Sequence, residues 1–271
     1  MRGILDFFEI EKPAASMKLQ LIPDLSALIH GVPAGGAMDP LAPVLLNRIL
    51  GSASVDPVFE FTLQGPILVA RKNLIVALGG MEGCAGPLPV WEPFRLSSGD
   101  LLNLRSLKGS CRIYLNAIPD TKSNYRLMKL TPQSKLRHVP DIPSISVLKY
   151  PRLPHTVEWS GSIMRVSADS DRRGLRLIPT EPLKGGQEIP PEPMGYGAIQ
   201  LPPNGYPIIV GPDGPITGGY LRMATVMQAD LRKLAYLSPG QDMDFTVISF
   251  EEAHSRLAAT EDMLARDLIP C

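Results

Sequence analysis

The chain has 271 residues, with 27 Lys+Arg against 27 Asp+Glu, so its formal net charge is zero and the basic excess of a nucleic-acid binder is excluded. A hydrophobic content of 44% excludes a disordered chain, and 24 glycines with 28 prolines exclude a helix bundle in favour of short strands and many turns. The three cysteines, Cys84, Cys111 and Cys271, form no CxxC or Cys/His cluster, so no metal site is expected and a reducing cytoplasm fits.

Residues 1–16 read as an appendage that ends in the linker Pro13–Ser16. Met1–Lys12 is charged and lacks the apolar core of a signal peptide. Lys18–Ile22 alternates as a first strand, and the Gly-rich loop Gly31–Met38 follows. A helix is predicted next, with Asp39 as cap, Pro40 in the first turn and Gly51 as stop.

From Val58 onward the pattern is strand after strand. Phe59, Phe61 and Leu63 alternate with polar residues, while Ile67–Ala70 and Leu74–Leu78 flank Arg71–Asn73 as a hairpin. Leu102–Arg105 and Cys111–Leu115 continue a rhythm that suits barrels and sandwiches. A Pro-rich, weakly patterned stretch places a subdomain border near Pro140, giving subdomains 17–140 and 141–271. Further strands are expected at Ile163–Val166, Leu175–Ile178, Ala198–Leu201, Ile208–Val210 and Met243–Ile248. A short helix starts at Asp230, and a last helix opens with the capping box Ser249–Glu252 and ends near Arg266. The longest uncharged run, Met194–Pro212, contains Pro202, Pro203 and Pro207, so no membrane helix is expected.

No GxSxG, HExxH or Walker loop is present, and the histidines at 30, 138, 155 and 254 are scattered. Three constellations carry possible chemistry. Gly31–Asp39 is either a backbone cradle for an anion or a tight strand-to-helix turn. Asp169–Arg176 either grips a carboxylate or phosphate through its arginines or is a solvated turn with local ion pairs. Gly197–Gly205 with Asp213–Arg222 is either an anion-friendly pair of Gly-rich loops, the Thr217-Gly218-Gly219 turn exposing main-chain donors, or a pair of turns in a β domain.

In this order, GVPAGGAMD (31–39) with Asn47, FEFTLQGP (59–66), SDRRGLRL (170–177), GAIQLPPNG (197–205) and TGGY (217–220) with Ala224–Val226 resemble one family. It is the biotin-dependent carboxyltransferases, also called allophanate hydrolase subunit 2, with the third subunit of prokaryotic 5-oxoprolinase and the kinase-A antagonist protein among its relatives. The resemblance implies a mainly β, cyclophilin-like barrel architecture in two subdomains. It implies a subunit-1-type partner in a hetero-oligomer and a small amide, lactam or urea-like substrate. ATP or carboxybiotin would enter only at the level of the complex, with no tightly bound cofactor and no metal. Transferred onto this chain, Asp171, Arg172 and Asp213 are the expected catalytic residues, and Arg176, Gln200, Thr217, Gly218, Gly219 and Arg222 the substrate-binding ones. Arg172, Arg176, Gln200, Asp213 and Thr217 are expected around one pocket. The chain departs from the family where a Gln-Asp-x-Gly-Arg segment is reduced to Asp24-Leu25-Ser26, and where Asn116–Pro119 replaces a Gly-Gly pair. These departures motivate the alternative of a non-catalytic regulatory protein of the kinase-antagonist type.

Overall fold

The computed structural model describes residues 6–105, 112–121, 125–137, 144–154, 157, 159 and 161–271. Cys111, Ser123, Asn124, His138, the border at Pro140 and His155 lie outside the described residues. The chain forms two compact units, the first comprising Met1–Ile22, Pro40–Val139 and Asp262–Cys271, the second Pro23–Asp39 and Pro140–Glu261.

The first unit contains β1 (Phe8–Lys12), β2 (Ser16–Gln20), α1 (Ala42–Ile49), β3 (Val58–Thr62), β4 (Ile67–Ala70), β5 (Leu74–Gly79), β6 (Pro93–Leu96), β7 (Leu101–Asn103), β8 (Arg112–Pro119) and β9 (Met128–Leu130). Its main sheet has the order β2-β3-β8-β5-β6, and a smaller one the order β1-β4-β7. A proline in its first turn starts α1, and Leu45, Leu46 and Ile49 on its inner face are fully buried. Each such side chain contributes about 1.5–3 kcal/mol by leaving water. The buried Asn47 donates through Nδ2 to the carbonyls of Pro43 and Asp56 and accepts from Asn116, so its polar atoms are satisfied inside the core.

The second unit contains β10 (Ser144–Lys149), β11 (Met164–Val166), β12 (Gly174–Pro179), β13 (Glu188–Pro193), β14 (Ala198–Leu201), β15 (Ile208–Val210), β16 (Thr217–Val226), α2 (Leu231–Leu234) and β17 (Asp242–Val247); α3 (Phe250–Arg266) begins here. The order β10-β17-β11-β12-β15-β14-β16 closes on itself through β10–β16 pairing, a seven-stranded barrel with β13 added outside β16. All pairs are antiparallel except β10–β17. The mainly β architecture is therefore present, and its closed barrel lies in the second unit. Among the described residues, no helix is long and apolar enough to cross a membrane.

Several expectations need correction. Within the stretch read as an appendage, Phe8–Lys12 forms β1, which pairs with β4 and buries Phe8. The hairpin does not form. β4 joins β1 and β7, whereas β5 lies between β8 and β6 in another sheet. Arg71–Asn73 lacks the glycine of a tight hairpin turn, and β5, buried at every residue, takes the central place. Asp39 does not cap α1 and Pro40 lies before it; Leu41 holds the cap position, Pro43 is the first-turn proline, and the Asp39 carboxylate accepts from Tyr236 within the second unit. The segment Pro23–Asp39 groups with the barrel, and Leu268–Pro270 returns to the first unit as a strand paired with β9. Ser249 caps α3, the Glu252 amide donating to its Oγ at 3.1 Å, while the Glu252 carboxylate accepts from Arg256 Nη2.

Candidate functional site

All the sequence-selected residues lie in the second unit, on or beside β12, β14 and β16. The turn entering β12 is set by Asp171, whose Oδ1 accepts from the Arg173 amide at 2.8 Å and the Gly174 amide at 3.3 Å. Its other oxygen pairs with the exposed Arg173 guanidinium at 2.8 Å. Partial burial raises the Asp171 carboxyl, but the hydrogen bonds and charge of Arg173 outweigh it, so the group sits below its ordinary value. Its partner is thus Arg173, not Arg172 or Arg176.

Arg172 is 8% exposed and faces Asp213 as a fork, Nε donating to Oδ2 and Nη2 to Oδ1, each at 2.8 Å. The same Nη2 donates to the Gly36 carbonyl at 2.6 Å. This carbonyl is presented by two successive glycines in the left-handed region, Gly35 at φ 60° and Gly36 at φ 86°. The Gly35 amide donates to Pro212 O at 3.1 Å, and Tyr196 Oη donates to Met38 O at 2.7 Å. Buried Asp39 accepts from Tyr236 Oη at 2.7 Å and lies 3.5 Å from Arg232 Nε. The Gly-rich loop is therefore strapped to the barrel at several points, and Arg172 with Asp213 forms one of the straps.

Gln200, Thr217, Gly218 and Gly219 line a cavity of about 450 Å³ together with Glu188, Ile189, Pro215 and Tyr220. Gln200 is 6% exposed, and its Nε2 donates to Tyr220 O at 3.2 Å. The Thr217–Tyr220 stretch is not a turn. It opens β16 and pairs with β13, Thr217 opposite Pro193 and Gly218 opposite Glu192. Gly218 is required by close approach, since a Cβ there would overlap Gln200 Nε2 and the end of Met194. Both obstacles are ends of flexible side chains. A Gly218→Ala substitution is therefore expected to cost about 1 kcal/mol of stability, at the low end for overpacking, while turning the Gln200 carboxamide out of the cavity. A thermal melt close to wild type, with substrate affinity lost, checks it.

The structure divides the residues expected around one pocket. Arg172 and Asp213 pair with each other and are not among the residues lining the Gln200 cavity. Arg176, on β12 opposite Ile208, has an exposed side chain and is not a lining residue either. Arg222 lies opposite Gln200 in the ladder but lines a different cavity, of about 500 Å³, with Tyr150, Pro151, Arg152, Glu192 and Pro193. Tyr150, Arg152 and Glu192 carry no sequence signal of their own. They meet only because β10, β13 and β16 come together. Among the described residues there is no cluster of His, Cys, Asp and Glu fit for a metal ion.

The family model described as carboxyltransferase domain, subdomain A and B, matches residues 30–120 and 156–247. The urea amidolyase of Saccharomyces cerevisiae is 27% identical over 96% of this chain, which spans only 18% of that protein. The C-type component of Escherichia coli 5-oxoprolinase is 26% identical over 82% of this chain and 85% of its own length. The crystal structure of the Kluyveromyces lactis urea carboxylase superposes with a TM-score of 0.78 at 22% identity, over 95% of this chain and 29% of the other.

Proposed function

Because the chain belongs to the carboxyltransferase domain family, subdomains A and B, we propose that it works as one subunit of a 5-oxoprolinase-type or urea-carboxylase-type complex. The observation that carries the reading is the Gln200 carboxamide, nearly buried and lining a cavity beside Thr217. A carboxamide offers one acceptor and one donor side by side, the complement of a small amide, lactam or urea. The Thr217 hydroxyl adds a donor where negative charge develops on a carbonyl oxygen. Arg172 and Asp213 hold the Gly31–Asp39 loop to the barrel and are not given a substrate contact in this reading. ATP or carboxybiotin enters with a subunit-1-type partner and its associated subunits.

The test is reconstitution of the full-length chain with candidate partner subunits. ATP-dependent loss of 5-oxoproline, or carboxylation of urea from a biotinylated carrier, is expected only when this chain is present and to fall in Gly218→Ala. A second reading, a non-catalytic regulatory protein of the kinase-antagonist type, is favoured by one observation. The retained Arg172 is bound by a carboxylate and a carbonyl of its own unit. Stable complexes that turn over neither substrate select this second reading.

A further inference from the structure

We infer that the cavity between the turn before β11 and the loop after β12 binds a free α-amino acid with an apolar side chain. The inference stands on that cavity alone and does not depend on the carboxyltransferase reading. The cavity measures about 570 Å³ and shares no lining residue with those holding Gln200 and Arg222. Its two walls are neighbours because Met164, which opens β11, pairs with Pro179, which ends β12. The Thr180–Lys184 wall is fixed by backbone packing. The Leu183 amide donates to Gly205 O at 2.9 Å. A Cβ on Gly205 would stand 2.7 Å from Leu183 O, and a Cβ on Gly186 2.1 Å from Pro202 O, so the loop lies directly on the 202–205 turn at both points. A wall held in this way needs little ordering when a ligand enters.

The lining selects the ligand. Glu181 and Lys184 are exposed, oppositely charged and three positions apart. Among the described residues, neither side chain is in an ion pair or a hydrogen bond, and the hydroxyls of Ser162 and Thr180 are in no hydrogen bond either. The cavity therefore offers one anionic acceptor, one cationic donor and two hydroxyls, with a net charge of zero, one minus one. A zwitterion satisfies both charges at once, its ammonium on Glu181 and its carboxylate on Lys184. A simple anion would satisfy Lys184 and face Glu181 as a like charge, and a simple cation the reverse. Ile163, 53% exposed, and Leu183 add apolar surface on which a ligand side chain leaves water.

The probe is L-leucine, titrated into the full-length chain by calorimetry. Isocaproate lacks the ammonium, isoamylamine lacks the carboxylate, and glycine lacks the apolar side chain. Leucine is expected to bind on the order of tenfold more tightly than any of the three. Glu181→Gln is expected to bring leucine down to the level of isocaproate, and Lys184→Gln to the level of isoamylamine. Both side chains are exposed, so both variants are expected to fold as wild type does. Arg95→Ala, at a surface pair with Asp120 in the first unit, is expected to leave leucine binding unchanged. Leucine binding no tighter than any one of the three analogues, or unchanged leucine affinity in Glu181→Gln or Lys184→Gln, overturns the inference.

Discussion

Asp213→Ala is expected to destabilise the second unit by about 3–5 kcal/mol, the range for breaking a buried ion pair from one side. Arg172 is the more deeply placed partner, its side chain 9% exposed against 31% for Asp213. Removing the carboxylate takes away both forked bonds while the guanidinium stays out of water. Removing the arginine instead leaves a carboxylate that water can reach, so Arg172→Ala is expected to cost less despite its lost packing. Asp213→Asn keeps an acceptor but not the charge and belongs between wild type and Asp213→Ala. The double variant Arg172→Met with Asp213→Ala is expected to recover part of the loss, because no buried charge remains. Urea unfolding of wild type, Arg172→Met, Asp213→Ala and the double variant measures this coupling. Strictly additive losses would show that the two side chains do not act as a pair.

Much of this strap was legible only in part. SDRRGLRL places Arg172 next to Asp171, which suggests a local pair, yet the partner is Asp213, 41 residues on. Asp171 turns to Arg173 because its side chain closes the turn on the amides that follow it. Closure of the barrel cannot be read from a run of short strands, and neither can the meeting of Tyr150, Glu192 and Arg222. Local signals fared better. The strand at Phe59 and Phe61 and the Ser249 cap of α3 each depend on neighbours a few residues away. The strand β13 was hidden by Pro190, Pro191 and Pro193, which cannot donate to a ladder; it pairs on one side only, with β16, where such residues are tolerated.

In the first unit, Trp91→Ala is expected to cost about 3–5 kcal/mol, the scale for emptying a buried aromatic site. Trp91 is fully buried at φ 62°, a conformation unusual for a bulky residue. It is held there from three sides. Its amide donates to Leu78 O at 2.7 Å, its Nε1 donates to Gly80 O at 2.7 Å, and its carbonyl accepts from the Leu130 amide at 2.9 Å. The ring lies directly on Gly79, where a Cβ would stand 2.7 Å from Cη2 and 2.8 Å from Cζ3. Gly79→Ala alone is therefore expected to cost about 3 kcal/mol, the upper part of the overpacking range. β5 is fixed between β8 and β6, and the indole is fixed by its own hydrogen bonds, so neither can yield cheaply. With both changes made, the alanine methyl occupies space the ring has left. The double variant is expected to be less destabilised than the sum of the singles. Chemical unfolding followed by circular dichroism checks this, because Trp159, packed edge-on to Phe245, is in the second unit and its fluorescence does not report on the first once Trp91 is gone. Additive losses, or a Gly79→Ala protein as stable as wild type, would show that the indole has room to move and that the contact with Gly79 is not what fixes it.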